Sequence, residues 1–402
     1  MKIYKFNSTM QKNRKTLILL VFISILLIMQ MFSGNYIVSA ETTETSFAIN
    51  ASISDIVSAL DLSGLDEIIE GLDGYEFFGM SAREKVEMII SGEYFTDYSS
   101  IVSAIFSLLF LNIKSFLPII FTIIAIGIIS SLLSSLKEAY NEISDMVYYV
   151  CSAVVTIFIL VSFKNILGDI KSVIDTISKL MQIVFPILIS LLVSIGSLTS
   201  VSIYNPLVAV LTTIVDIVFD KFLYPIFILI FLFTVLGSLT TTIKLDKLNN
   251  FLSSGFKWAV GIIFTLFSGF LSLQGISAGR FDSISIKATK FAVKSYIPII
   301  GSYMAEGMDF IVLGSVLVKN TVGLVAVLIL FSIVLIPIIK LIIYKLLLQF
   351  SSGVLELVGS NNMSSFIYKT SKVLILPIVI VLSIALMFVM TIAIIMCTAN
   401  IF

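Results

Sequence analysis

The stretch NTVGLVAVLILFSIVLIPII, residues 320–339, contains no charged side chain. A helix of about 20 apolar residues, rising 1.5 Å per residue, crosses the roughly 30 Å hydrocarbon core of a bilayer. Six similar runs occupy residues 115–136, 146–163, 180–215, 222–243, 258–279 and 373–402. The run at 180–215 is long enough for two helices with Asn205 and Pro206 at the turn. These lengths predict an all-α, polytopic integral membrane protein with seven or eight transmembrane helices.

The composition agrees with a membrane protein and argues against most enzymes. Of the 402 residues, 58% are hydrophobic and 12% are charged, and the formal net charge is zero, so no basic field is available to attract nucleic acid. The chain has no histidine, which removes His-dependent catalytic triads and His-ligated zinc. Cys151 and Cys397 lie in apolar runs without metal-ligand spacing. We expect no catalytic activity, no cofactor and no metal.

Three regions follow from the charge pattern. Residues 1–40 place five basic side chains before an apolar run and end in Val38-Ser39-Ala40, which predicts a secretory signal, with an uncleaved signal anchor as the alternative. Residues 41–100 hold thirteen of the 25 acidic residues and are expected to form a small, helical, acidic extracytoplasmic region. Residues 101–402 are the expected polytopic transmembrane domain.

Two connecting stretches have the pattern of amphipathic helices. Between residues 164 and 180 the apolar side chains form one helical stripe, opposite an i,i+4 charged row of Lys171, Asp175 and Lys179. In residues 280–294, Ile284 and Phe291 belong to the apolar face, and three lysines including Lys290 carry positive charge. Both patterns predict helices that lie in the membrane interface, with the lysines near lipid head groups.

Prolines and glycines are expected to bend the transmembrane helices. A proline inside a helix removes one backbone hydrogen bond and produces a kink or a helix start. Kinks or turns are therefore predicted at Pro186, Pro225, Pro298, Pro337, Gly301, Gly314 and Gly323. Since lipid offers no hydrogen bonds, the carbonyls that the prolines free should face protein or a polar cavity.

Residues 297–323, IPIIGSYMAEGMDFIVLGSVLVKNTVG, place charges among apolar residues. Glu306 and Asp309 are three residues apart and share a helix face, and each would cost several kcal/mol if it were left ionised in hydrocarbon. The pattern favours a re-entrant or tilted helix that returns through Gly314 to Lys319. Glu306, Asp309 and Lys319 are therefore candidates for lining a lumen or contacting another subunit. The alternative is an acidic pair that carries protons or cations.

The same stretch resembles the most characteristic segment of the stage III sporulation protein AE family of endospore-forming bacteria. The resemblance lies in Ile297-Pro298-Ile299-Ile300-Gly301, Asp309, Gly314-Ser315, Lys319-Asn320 and Gly323. The preceding Phe281-Asp282-Ser283 and Lys290-Phe291-Ala292 are also similar to that family, although Ser283 stands where a glycine is expected. The order of signal, acidic region and membrane domain agrees with it too.

The resemblance implies a multi-pass subunit of the mother-cell membrane around the forespore, with its N-terminal region extracytoplasmic. It implies a part in a secretion-like transenvelope channel complex, similar to a permease or export gate, that late forespore development requires. The implied partners are other stage III sporulation proteins of the same operon, including a separate ATPase and ring-forming subunits, and forespore protein Q. The alternative is a self-sufficient secondary transporter that uses the intramembrane carboxylates. No GxxxxGK[ST] loop occurs in the chain.

Overall fold

The computed structural model of the protein describes residues 53–71, 80–91, 98–134, 141–239, 245–296 and 301–398. The chain divides into two compact units, Met1–Ala48 and Ile49–Phe402, and every described residue belongs to the second unit. The expected signal at residues 1–40 and the expected bend at Pro298 lie outside the described residues.

All regular elements within the described ranges are helical. After a helical stretch over residues 53–59, they are α1 (Ser63–Glu70), α2 (Ala82–Ser91), α3 (Tyr98–Ser134), α4 (Asn141–Ile195), α5 (Leu198–Thr213), a π-helix (Ile214–Leu223), α6 (Tyr224–Leu239), α7 (Asp246–Tyr296), α8 (Gly301–Leu357), α9 (Asn361–Val373) and α10 (Ile375–Cys397). The π-helix follows α5 directly and leads directly into α6. The all-α class predicted from the sequence is confirmed.

Six segments of the described chain are long and apolar enough to cross a membrane: Phe106–Leu133, Tyr149–Ile195, Leu198–Gly237, Asp246–Gln274, Tyr303–Leu357 and Asn361–Cys397. The chain is therefore a multi-pass membrane protein by its helices. Two of the segments contain 47 and 55 residues, far more than the roughly 20 that one crossing needs. The count of seven or eight crossings stays a prediction.

The turn expected at Asn205 and Pro206 is in the wrong place. Both residues lie inside α5, and the chain instead reverses between α4 and α5 at Gly196, where φ is +84°. The Gly196 N–H donates to the Val193 carbonyl at 2.8 Å, and the Ser197 N–H donates to the Leu192 carbonyl at 3.0 Å. This pair of bonds ends a helix at a left-handed residue, which glycine adopts without a steric penalty.

The re-entrant turn expected between Glu306 and Lys319 is also wrong, because α8 is one helix from Gly301 to Leu357. Gly314 and Gly323 lie in its interior, and Gly301 begins it. An interior glycine costs a helix only about 1 kcal/mol relative to alanine, so it need not end the helix. Gly323 serves close packing, since a Cβ there would lie 2.6 Å from Met396 Sδ and 3.2 Å from Ile392 Cγ2 of α10.

The three described prolines of the predicted set occupy helices. Pro186 lies inside α4 and Pro337 lies inside α8, and neither ends its helix. Pro225 is the second residue of α6, directly after the π-helix. Because the π-helix leads directly into α6, Pro225 lies in a continuous helical stretch and leaves a carbonyl of the preceding turn without an N–H donor.

The apolar stripe predicted in residues 164–180 exists, but it packs against protein. Residues 164–180 are the middle of α4, and Ile166, Ile170, Ile174 and Ile177 are each 1% exposed or less. A separate interfacial helix is therefore not formed at this place, since the rest of the bundle covers the stripe. The predicted charged row is confirmed at its first step, where Lys171 and Asp175 form an ion pair at 3.0 Å.

The second amphipathic stretch is the C-terminal part of α7 and differs from the first. Ile284 and Phe291 of the predicted apolar face are 68% and 71% exposed, so the described bundle does not cover them. Contact of this face with the membrane interface stays a prediction. Lys290, one of the three lysines of this stretch, pairs with Asp309 of α8.

The described part of the acidic N-terminal region packs on the membrane helices. Leu65 of α1 and Val86 of α2 are fully buried, and a Cβ at Gly64 would lie 3.0 Å from Ile183 Cδ1 of α4. The Ala82 N–H at the start of α2 donates to the Asp66 carboxylate. Burial lowers the pKa of Lys85 to about 8, against the opposing influence of Asp66. The α1–α2 pair is therefore part of the same packed unit as the bundle.

Replacing Gly323 with leucine should destabilise the protein by about 1–3 kcal/mol, because the new side chain collides with Met396 and Ile392 of α10. Thermal unfolding of the purified protein in detergent measures the effect. Gly307→Leu is the matched control, since it lies in the same helix and a Cβ there meets nothing within 4 Å. Equal unfolding temperatures for the two variants would contradict the packing of α8 against α10.

Candidate functional site

Asp282 of α7 is fully buried and lies at the start of α5. One carboxylate oxygen accepts the backbone N–H of Thr199 at 3.0 Å, and the other accepts that of Ser200 at 3.1 Å. The first N–H groups of a helix have no intrahelical acceptor, and the helix dipole favours an anion there. The turn at Gly196 brings these amides to α7, so Asp282 holds the beginning of α5 in place.

Lys319 of α8 is fully buried and lies at the C-terminal end of α10. Its ammonium donates to the backbone carbonyl of Thr398, directly after the last residue of α10. A cation is favoured where a helix leaves carbonyls unpaired. Within the chain, α10 provides the partner of Lys319 and covers it, and the predicted role of Lys319 at a lumen or a subunit contact stays a prediction.

Tyr204 links the two ends just described. Its buried hydroxyl lies 2.6 Å from the Thr398 Oγ1, so α5, α8 and the end of α10 meet at one residue. Asp282, Tyr204, Lys319 and Thr398 are called the buried polar cluster below. In α5, the residue before it and the neighbouring part of α8, four buried atoms have no hydrogen-bond partner among the described residues: Ser197 Oγ, Ser200 Oγ, Ser315 Oγ and Asn320 Oδ1. Since buried polar atoms normally have partners, these elements offer spare hydrogen-bonding capacity.

The predicted acidic pair lies on the outside of α8. Glu306 is exposed, and Asp309 is half exposed and forms an ion pair with Lys290. Their spacing predicts that the two acids share one helix face, but it does not identify a partner for them. The sequence gives little indication that Lys290 is the partner of Asp309, because this pairing depends on how α7 and α8 lie side by side. The carboxylate of Asp309 is thus paired, and that of Glu306 is exposed without an ion-pair partner among the described residues.

The middle of α4 carries a second polar region, which joins it to two neighbours. Asp169 pairs with Lys340 of α8, and Lys171 pairs with Asp220 of the π-helix. Ser178 Oγ donates to the Asp216 carboxylate of the π-helix at 2.9 Å. Asp216 and Asp220 were missed as partners, although their spacing of four residues matches a charged row on a facing helix.

A cavity of about 670 Å³ opens between α4 and α8 beside these charges, and α1 forms part of its wall. It is called the α4–α8 groove below. Its lining residues are Glu67, Ile68, Gly71, Asp169, Ser172, Val173, Thr176, Lys179, Gln182, Ile183, Ser332, Ile333, Ile336, Pro337 and Lys340. The size is that of a small-molecule site. Pro337, predicted to face protein or a polar cavity, does line one.

Replacing Asp282 with alanine should lower stability by about 1–3 kcal/mol, because the amides of Thr199 and Ser200 lose their buried acceptors. Asp282→Asn should cost less, since an amide oxygen still accepts one of the two bonds. Thermal unfolding in detergent provides the comparison, with the exposed Ser285→Ala in the same helix as control. An Asp282→Ala protein as stable as this control would show that the carboxylate does not stabilise α5.

Comparison with known proteins agrees with the resemblance found in the sequence. Residues 80–399 match the family described as Stage III sporulation protein AE. One relative, the Stage III sporulation protein AE of Bacillus subtilis (strain 168), is 26% identical over 301 residues, which cover 74% of this chain and 75% of the relative. No solved structure matches the chain. The match includes α2 to α10 and both polar regions, and the chain belongs to the Stage III sporulation protein AE family.

Proposed function

We propose that this protein is a non-enzymatic membrane subunit of the channel complex that connects the mother cell with the forespore. In this proposal it resides in the mother-cell membrane around the forespore and is required for late forespore development. The observation that carries the proposal is that the chain belongs to a sporulation family and has, in its described residues, six helical segments able to cross a membrane. A bundle of this kind is suited to form the membrane base of a conduit.

The proposed contact surface for partners is the junction of α7 and α8. Glu306 and the half-exposed Asp309 lie there, next to large exposed side chains: Phe291 is 71% exposed and Tyr303 is 72% exposed. An uncovered surface that combines aromatic and charged side chains is typical of protein contacts. We propose that Glu306 and Asp309 contact another subunit or line the lumen that the assembled subunits enclose.

The proposed partners are other stage III sporulation proteins, including a separate ATPase and ring-forming subunits, and forespore protein Q. Any ATPase of the complex would be a separate chain, since this sequence has no phosphate-binding GxxxxGK[ST] loop. The α1–α2 pair, packed against α4 and α8, is the proposed extracytoplasmic contact for the ring-forming subunits.

Deleting the gene in its host should block late forespore gene expression after engulfment, because the conduit would lack a membrane subunit. A reporter driven by a late forespore promoter, followed by microscopy in single cells, measures this. A copy of the gene at a second chromosomal site should restore expression. Normal heat-resistant spores from a clean deletion would contradict the proposal, and solute transport by the purified chain alone in liposomes would favour the secondary transporter.

The double substitution of Glu306→Ala and Asp309→Ala should impair sporulation without removing the protein from the membrane. Half-exposed ion pairs contribute only about 0–1 kcal/mol, so the loss of the pair with Lys290 should leave the fold intact. Heat-resistant spore counts and membrane immunoblots give the two readouts. Glu356→Ala, an exposed acid at the other end of α8, is the control and should sporulate normally. Unchanged sporulation in the double variant would remove the role proposed for the pair.

A further inference from the structure

The α4–α8 groove contains charges of both signs in equal number. Its two acids are Glu67 and Asp169, and its two bases are Lys179 and Lys340. Asp169 and Lys340 pair with each other, whereas Glu67 and Lys179 have no ion-pair partner within the part of the chain that the structure describes. A ligand with a net charge would leave one of these signs unmatched. The lining therefore favours a ligand that carries one positive and one negative group.

Two prolines leave backbone carbonyls without their helical donors at residues that line the same groove. A proline inside a helix cannot donate to the carbonyl four residues earlier, so Pro186 frees the carbonyl of Gln182 and Pro337 frees that of Ile333. Gln182 and Ile333 both line the groove, and they come from the two facing helices. Carbonyls freed within a membrane helix need a donor from protein, water or a ligand. A primary ammonium group has three N–H donors for such acceptors.

The groove also has an apolar wall, and its volume is that of a small-ligand site. Ile183, Ile333, Ile336 and Pro337 give the groove an apolar wall next to the charges. A volume of about 670 Å³ exceeds the space for a single ion with its waters and suits a molecule with an apolar part. The hydroxyls of Ser172, Thr176 and Ser332 can accept further hydrogen bonds.

From these three features we infer that the α4–α8 groove binds a zwitterionic ligand with a primary ammonium group and a phosphate or carboxylate. The ammonium group lies near Glu67 and the freed carbonyls, and Lys179 pairs with the anionic group. The same chemistry occurs in a phosphatidylethanolamine head group and in a free peptide. This inference does not depend on the channel proposed above.

Two binding measurements on the full chain test the inference and separate the two sources. In the first, the protein in nanodiscs of equal phosphatidylethanolamine and phosphatidylglycerol is released into detergent, and native mass spectrometry counts the lipids it retains. In the second, trialanine is added to the lipid-free protein in detergent and the unfolding temperature is followed. We expect selective retention of phosphatidylethanolamine, or a rise in unfolding temperature with trialanine.

Variants of the two unpaired charges should weaken whichever ligand binds. Lys179→Gln and Glu67→Gln each remove one charge-assisted hydrogen bond, and about tenfold weaker binding is expected from each. Both side chains are exposed, so the fold should be retained, which the unfolding temperature without ligand checks. Lys164→Gln and Glu70→Gln are the matched controls, since they are exposed on the same two helices and do not line the groove.

If the wild-type protein retains phosphatidylethanolamine and the Lys179→Gln and Glu67→Gln variants do not, the ligand is a lipid head group. If trialanine stabilises the wild-type protein and does not stabilise these variants, the ligand is a free zwitterion. Equal retention of phosphatidylglycerol without a trialanine effect overturns the inference. Binding that Lys179→Gln and Glu67→Gln leave at the level of the controls overturns it as well.

Discussion

The bundle depends on one constraint: a charge or a freed backbone group among apolar helices needs a polar partner from another helix. Asp282 meets it with the first amides of α5, and Lys319 meets it with the carbonyl of Thr398. In the middle of α4, Asp169 and Lys171 reach α8 and the π-helix. Removing the partner of a buried charge costs several kcal/mol, whereas apolar side chains can repack against one another at a lower cost. The polar pairs therefore select one arrangement of helices that hydrophobic burial alone leaves loosely defined.

Five of the residues that carry the family resemblance lie in or close to the buried polar cluster: Asp282, Ser315, Lys319, Asn320 and Gly323. Asp282 and Lys319 belong to it, and Ser315 and Asn320 supply buried polar atoms on the same part of α8. Gly323 lies one turn beyond Lys319 and allows α10 to approach closely. The characteristic segment thus has a structural role at the junction of four helices. Its exposed acids, Glu306 and Asp309, are the part left for contacts outside the chain.

Much of the fold could be predicted because apolar run length and helical period are local properties. The stripe through Ile166, Ile170 and Ile174 is one example, and it was found from spacing alone. Which surface covers such a stripe depends on the tertiary structure. Spacing alone therefore predicts contact with the membrane interface at a place where the stripe packs against other helices. The turn at Gly196 was missed for a similar reason: proline and glycine are both compatible with helix interiors, and only backbone geometry separates Gly196 from Pro206. Of the site residues, the acids Glu306 and Asp309 can be recognised from the sequence. Lys290 as the partner of Asp309 and Thr398 as the partner of Lys319 cannot, because that requires knowing which helices are neighbours.

The bond between Lys319 and Thr398 has a consequence for biosynthesis. The two residues are 79 positions apart, and Thr398 is the last residue that the structure describes. The segment with Lys319 enters the membrane well before the ribosome has synthesised Thr398, whose carbonyl accepts the hydrogen bond of the Lys319 ammonium. Until Thr398 has been synthesised, this cation must stay hydrated or be held by the insertion machinery. The final packing of α8 around Lys319 thus has to wait for α10, and a premature stop codon before α10 ends would leave an unpaired charge for quality-control proteases to recognise.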